Sequence, residues 1–197
     1  MTRTLTCFGD TLLTEEQARA HARPRWWQRR AARTPGGAGR LVLHPMWVAW
    51  AEVVAARPPL APLVRPTMIF VDAVSEYRGV LGVVPRTQRL TIDGPRVLRE
   101  GRTLVVDERV TVPAPRLDRD RAADMVTEVQ RGQIDRTYLL RKPQHRTRRL
   151  ELLHLPVWRF ASPGTGIPER VVNAVTGEDE GYLAARWRAA QSPAEAP

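Results

Sequence analysis

A single cysteine, Cys7, excludes an intramolecular disulfide, and nothing in the chain calls for an oxidising compartment. Long apolar runs are missing too. The longest, Leu41 to Ala56, is interrupted by His44, Pro45 and Glu52 and falls short of the ~20 residues that a membrane-spanning helix needs. The N-terminus MTRTLTCFGDTLLTEEQ lacks the continuous apolar core and small-residue cleavage site of a signal peptide, so the expected location is cytoplasmic.

The residue patterns of catalysis are equally scarce. His21, His44, His145 and His154 have no metal-ligand spacing, and there is no HExxH or paired CxxC, so no metal and no cofactor are expected. His44 and His154 read as satisfied histidines at strand starts. No serine lies in G-x-S-x-G, and Cys7 has no local histidine partner. The glycine-rich Thr34–Arg40 lacks a Walker lysine and reads as a linker. Asp118 and Asp120 alternate with Arg119 and Arg121, as a helix cap with solvated charges would. No catalytic residue is nominated, and a non-enzymatic protein is expected.

Lysine is the last scarcity: Lys142 is the only one among 31 basic residues, which set a net charge of +10. Such a charge suits nucleic acid or an anionic membrane surface, because clustered cations release counterions from phosphate polymers and are drawn to acidic lipid. An arginine- and alanine-rich surface is also what the GC-rich genome of a bacterium writes at generic positions.

What is present is an ordinary globular core, 43% apolar over 197 residues, and an internal duplication. Residues 13–82 and 117–184 read as two copies of one unit. Pro45-Met46-Trp47 aligns with Pro156-Val157-Trp158, and Val71-Asp72-Ala73-Val74-Ser75 with Val172-Asn173-Ala174-Val175-Thr176. Thr14 with Gln17 forms a capping box ahead of the first helix. Asp118 caps the second, where Ala122, Met125, Val126 and Val129 recur at i, i+3, i+4 and i+7 and Gly132 is expected to end it. β-branched residues and tryptophan favour strands over 41–54, 68–74, 152–160 and 170–175. Pro58, Pro59, Pro62 and Pro66 point to a connection without regular ladder pairing over 55–66. Shorter strand signals at 89–92, 103–106 and 110–112, with a turn at Asp93-Gly94-Pro95, bridge the copies.

The expected architecture is α+β: two pseudo-symmetric αββ repeats on a mostly antiparallel sheet. Its parts are an N-terminal tail (1–12), a first repeat (13–82), a bridging β segment (83–116), a second repeat with a short C-terminal helix (117–191) and a disordered tail (192–197).

The strand ending Val172-Asn173-Ala174-Val175-Thr176-Gly177-Glu178, and in part Val71-Asp72-Ala73-Val74-Ser75-Glu76, resembles the PepSY family, whose units close with a Val-Asp-Ala-x-Thr-Gly-Glu-like turn. The resemblance implies small α+β modules that bind or regulate other proteins, typically outside the cytoplasm. Read as residues alone, Asp72, Asn173, Thr176 and Gly177 are turn formers that bond their own backbone or allow positive φ.

Two basic segments remain, Arg23–Arg33 with Trp26 and Trp27 interleaved, and Arg141–Arg149. The expected function is a protein-interaction or assembly component, because Trp and Arg are the residues that anchor interfaces. Its contact surface is expected at Trp26, Trp27, Arg29, Arg30, Trp47 and Trp50, since copy one is apolar on both strand faces where copy two alternates Trp158 and Phe160 with Arg159. The alternative is a single-stranded nucleic-acid-binding protein using Arg141, Lys142, Arg146, Arg148 and Arg149 with exposed aromatics. A third reading, a small enzyme with a site between the halves, has no residues to nominate. If Trp50 is a contact residue, Trp50→Ala weakens partner capture in a pull-down more than it lowers the melting temperature; the reverse result marks it as core.

Overall fold

In the computed structural model, which describes residues 2–22, 38–82, 84–106, 110–139, 141–161 and 169–191, strands dominate. In chain order they are β1 (Thr2–Phe8), β2 (Gly39–Arg57), β3 (Leu60–Asp72), β4 (Arg78–Leu81), β5 (Thr87–Asp93), β6 (Arg96–Arg99), β7 (Arg102–Val106), β8 (Gln144–Phe160) and β9 (Arg170–Asn173). The helices among the described residues are α1 (Glu15–His21), α2 (Arg119–Val129) and α3 (Gly181–Gln191), with a π-helical turn at Gln130–Ile134 continuing α2. Gly132 therefore lies inside that turn and does not end the helix.

The expected α+β arrangement of two αββ repeats is overturned. Half of the described residues are strand and 22% helix, and nine strands form one mixed sheet in the order β4-β3-β2-β8-β1-β5-β6-β7, with β9 paired to β8. The sheet is mixed because β1 runs parallel to β8 at Cys7–His154, whereas the β1–β5, β2–β3, β3–β4, β5–β6, β6–β7 and β8–β9 pairs are antiparallel. Two features of the residues account for the difference. The apolar, β-branched runs of β2 and β8 extend to 19 and 17 residues, far beyond a typical strand of 5–6. The stretch read as an N-terminal tail, with its alternating threonines, holds β1, which pairs with β5 from Thr2–Asp93 to Phe8–Thr87.

The chain divides into two compact units, one of Met1–His44, Arg86–Pro113 and His154–Pro197, the other of Pro45–Pro85 and Ala114–Leu153. β2 passes from the first unit to the second after His44, and β8 from the second to the first after Leu153.

In the first unit, α1 is capped by the expected box: Gln17 N donates to Thr14 Oγ1, and the Gln17 side chain accepts from Thr14 N. Its core contains Leu5, Leu41, Leu90, Trp158, Phe160 and Val172. The Trp158 indole Nε1 donates to the Leu13 carbonyl at 2.9 Å, and Leu13 N donates to the Ala174 carbonyl at 2.7 Å. In the second unit the stripe Ala122, Met125, Val126 and Val129 is buried against Ala49, Ile69, Val71 and Leu150. The Trp47 Nε1 donates to the Leu117 carbonyl at 3.0 Å, and Leu117 N to the Ala73 carbonyl at 3.1 Å. Equivalent contacts thus recur at the two Pro-x-Trp sites. In each, the helix lead comes from the other sequence segment: Leu13 meets the strands of 152–174, and Leu117 meets those of 41–73.

The two strand-end turns also match in detail. Asp72 Oδ1 accepts from Val74 N and Ser75 N at 2.8 and 3.0 Å, and Asn173 Oδ1 from Val175 N and Thr176 N at 2.9 and 3.2 Å. Gly177 takes φ +78°, and Glu76 occupies the corresponding left-handed position at φ +60°.

The proline-rich 55–66 stretch is not a bare connection: β3 begins at Leu60 and pairs with β2 through it. Asp72 N points outward from β2 to the Tyr77 carbonyl. Backbone direction alternates along a strand, so the Pro66 nitrogen shares that outward side, where a missing N–H costs no bond to β2.

Gly9 has φ +87°, and a Cβ there would overlap the Val175 side chain. Gly9→Ala is therefore expected to destabilise the protein by about 3 kcal/mol, from overpacking and left-handed strain together. Urea unfolding measures it; a loss below ~1 kcal/mol would show that Val175 moves aside freely.

Candidate functional site

In the second unit α2 lies along β8 and leaves a groove of about 380 Å³ between them. Arg119, Asp120, Ala123, Val126 and Thr127 line it from the helix, and Thr147, Arg148, Arg149 and Leu150 from the strand. Helical spacing creates the first wall: positions 119, 120, 123, 126 and 127 are three and four apart and share one face. The buried Val126 and Leu150 supply an apolar floor, while the Arg148 and Arg149 side chains are 60% and 53% exposed at the rim.

Each rim cation has a defined setting. Arg148 Nη2 donates to Glu52 Oε2 at 2.8 Å, and this hydrogen bond holds the Glu52 carboxyl below its usual range. The Arg149 guanidinium lies 3.8 Å from the centre of the Trp50 ring, and its Nε is 3.2 Å from Glu151 Oε1. Gln130 Nε2 donates to Thr147 Oγ1 at 3.2 Å, fixing that hydroxyl. Planar guanidinium forks suit carboxylates and phosphates. The volume is at the small end of the roughly 300–1,000 Å³ of ligand pockets, room for one or two side chains.

The structure distributes the expected site residues unevenly. Trp26, Trp27, Arg29 and Arg30 lie outside the described residues. Trp47 packs partly buried against the core of the second unit with its indole N–H committed to Leu117. Trp50, half-buried, does not line the groove but lies against the Arg149 guanidinium. Arg141 and Arg146 are exposed, whereas Lys142 Nζ is occupied by the Asp135 and Tyr138 carbonyls at 2.8 and 3.0 Å. Sequence reasoning missed Arg119, Asp120, Thr127 and Thr147. The helical stripe at 122–129 fixes their face, but nothing in the sequence says which strand α2 packs on.

No group of three His, Cys, Asp or Glu could hold a metal among the described residues. Burial pushes the Cys7 thiol up to about 12, which keeps it protonated and unreactive at neutral pH. His145 Nε2 sits 2.7 Å from Asp135 Oδ1 with its Nδ1 buried and unpartnered. His44, expected as a satisfied histidine, is buried and stacks on Trp187 at 3.9 Å between ring centres. His154 is only partly satisfied: Nδ1 is 3.4 Å from the Thr6 carbonyl, and Nε2 is buried without a partner. None of the described helices is long and apolar enough to cross a membrane. No family model, curated protein or solved structure matches the chain.

Burial, with Arg3 and His44 adding to it, lowers the His154 pKa below its ordinary 6.5. The unfolded chain then binds a proton that the folded one refuses. This stability is fully present above pH 6.5 and is lost as the pH falls through the folded value. The stability difference between wild type and His154→Gln, measured by urea unfolding from pH 8 to 5, is expected to shrink with acid; a pH-independent difference would refute the assignment.

Proposed function

We propose that the chain is a non-enzymatic interaction module whose groove between α2 and β8 receives an acidic segment of a protein partner. The carrying observation is that Arg119, Arg148 and Arg149 line one small groove over an apolar floor. That arrangement suits a peptide carboxylate beside a short apolar side chain. The reading keeps the protein in the cytoplasm, where a thiol such as that of Cys7 stays reduced.

Acidic peptide is favoured over single-stranded nucleic acid by the state of the described tryptophans nearest the groove. Base stacking needs a free ring face. One face of Trp50 is covered by the Arg149 guanidinium, and Trp47 is held by the core.

Charge-assisted hydrogen bonds contribute about 1.5–3 kcal/mol each, so Arg119→Ala/Arg149→Ala is expected to weaken binding of a fluorescent Asp/Glu-rich peptide at least tenfold in an anisotropy titration. Affinity should fall with added salt. Peptide binding unaffected by the double substitution would remove the groove as the site. Tighter binding of an oligonucleotide, lost in the same variant, would transfer the site to nucleic acid.

A further inference from the structure

The hairpin joining β2 and β3 exposes two large apolar side chains, Leu60 at 65% and Val64 at 50%. From the Val54–Val64 pair outward, Ala56, Arg57, Pro58, Pro59, Leu60, Ala61 and Pro62 are all exposed. At ~3.3 Å per residue the tip extends about 10 Å past that pair. Between Glu52 and Asp72 there is no acidic residue, while Arg57 and Arg65 flank the tip.

We infer that this hairpin tip is a docking element for an anionic lipid surface. Leu60 at the tip would enter the headgroup boundary, its cross-strand neighbour Arg57 would meet the lipid phosphates there, and Val64 and Arg65 would lie about 10 Å back, at the outer edge of that layer. The dimensions fit, because interfacial elements bury their apolar face only ~5–10 Å into that layer. The charge fits as well: an apolar tip with cations and no anions is complementary to acidic lipid, and each arginine near such a surface improves partition about fivefold.

The backbone argues against the competing occupant, a second copy adding a strand. Beyond Met68 the outer edge of β3 has no strand partner among the described residues, which would invite pairing. The Pro66 nitrogen faces that edge and cannot donate, and proline at an edge is a device that blocks strand addition. The exposed side chains at the tip are thus available to a surface rather than to a ladder. This element is separate from the acidic-peptide groove and stands or falls independently of it.

Cosedimentation of the full chain with vesicles tests the inference. Binding is expected to vesicles of 30% phosphatidylglycerol in phosphatidylcholine and not to phosphatidylcholine alone. Leu60→Asp/Val64→Asp should reduce partition at least tenfold and Arg57→Gln/Arg65→Gln by an order of magnitude or more, with circular dichroism unchanged. Arg119→Ala/Arg149→Ala, in the groove, should leave partition within about twofold. Three outcomes overturn the proposal: no binding to anionic vesicles, binding undiminished by Leu60→Asp/Val64→Asp, or self-association in sedimentation equilibrium that the same pair abolishes.

Discussion

Two indole hydrogen bonds hold the ends of the architecture in place: Trp47 to the Leu117 carbonyl and Trp158 to the Leu13 carbonyl. An indole N–H taken from water costs free energy unless it finds an acceptor. Here the acceptor is the backbone one residue ahead of a helix cap, Asp118 or Thr14. That single bond fixes where each helix starts relative to the strands beneath it. The return bonds, Leu117 N to Ala73 and Leu13 N to Ala174, close the same corner with the turn held by Asp72 or Asn173. Since helix lead and strand come from different halves of the chain, neither unit can be assembled from one half.

The candidate site inherits its form from this corner. With Leu117 pinned under Trp47, α2 turns its buried stripe onto Ala49, Ile69 and Val71, and its other face brings Arg119 and Thr127 to β8. The Trp50–Arg149 and Glu52–Arg148 contacts then hold the opposite wall. Both walls of the groove carry exposed polar side chains, Arg119 and Asp120 on the helix and Thr147, Arg148 and Arg149 on the strand, as suits recognition by charge. The β2–β3 hairpin has a different logic: its prolines limit what its edge can bond and leave the side chains of its tip to make contact.

Local chemistry was legible in the sequence because it acts over a few residues. The capping box at Thr14, the cap at Asp118, the stripe from Ala122 to Val129 and the turns at Asp72 and Asn173 are each specified by side chains next to the backbone they bond. Packing partners were not legible. Periodicity reports that α2 has an apolar face, not which strand covers it, and sequential neighbours are usually spatial neighbours, which suggested helices lying on their own repeats. β1 was hidden because its threonines leave only Leu5, Cys7 and Phe8 as buried apolar residues. β3 was hidden because proline breaks a ladder only when its nitrogen faces a partner, and that direction is a property of the fold. Arg119 was read as solvated charge because it sits between two aspartates, and only the folded chain places it across from Arg148 and Arg149.

The central claim is that each compact unit requires both halves of the chain, and fragment complementation tests it most directly. Fragments 1–112 and 113–197, expressed separately, are expected to lack native near-UV circular dichroism and cooperative unfolding, and to regain both when mixed in equal amounts. Cooperative unfolding of either fragment alone, with the near-UV signal of its tryptophans intact, would contradict it.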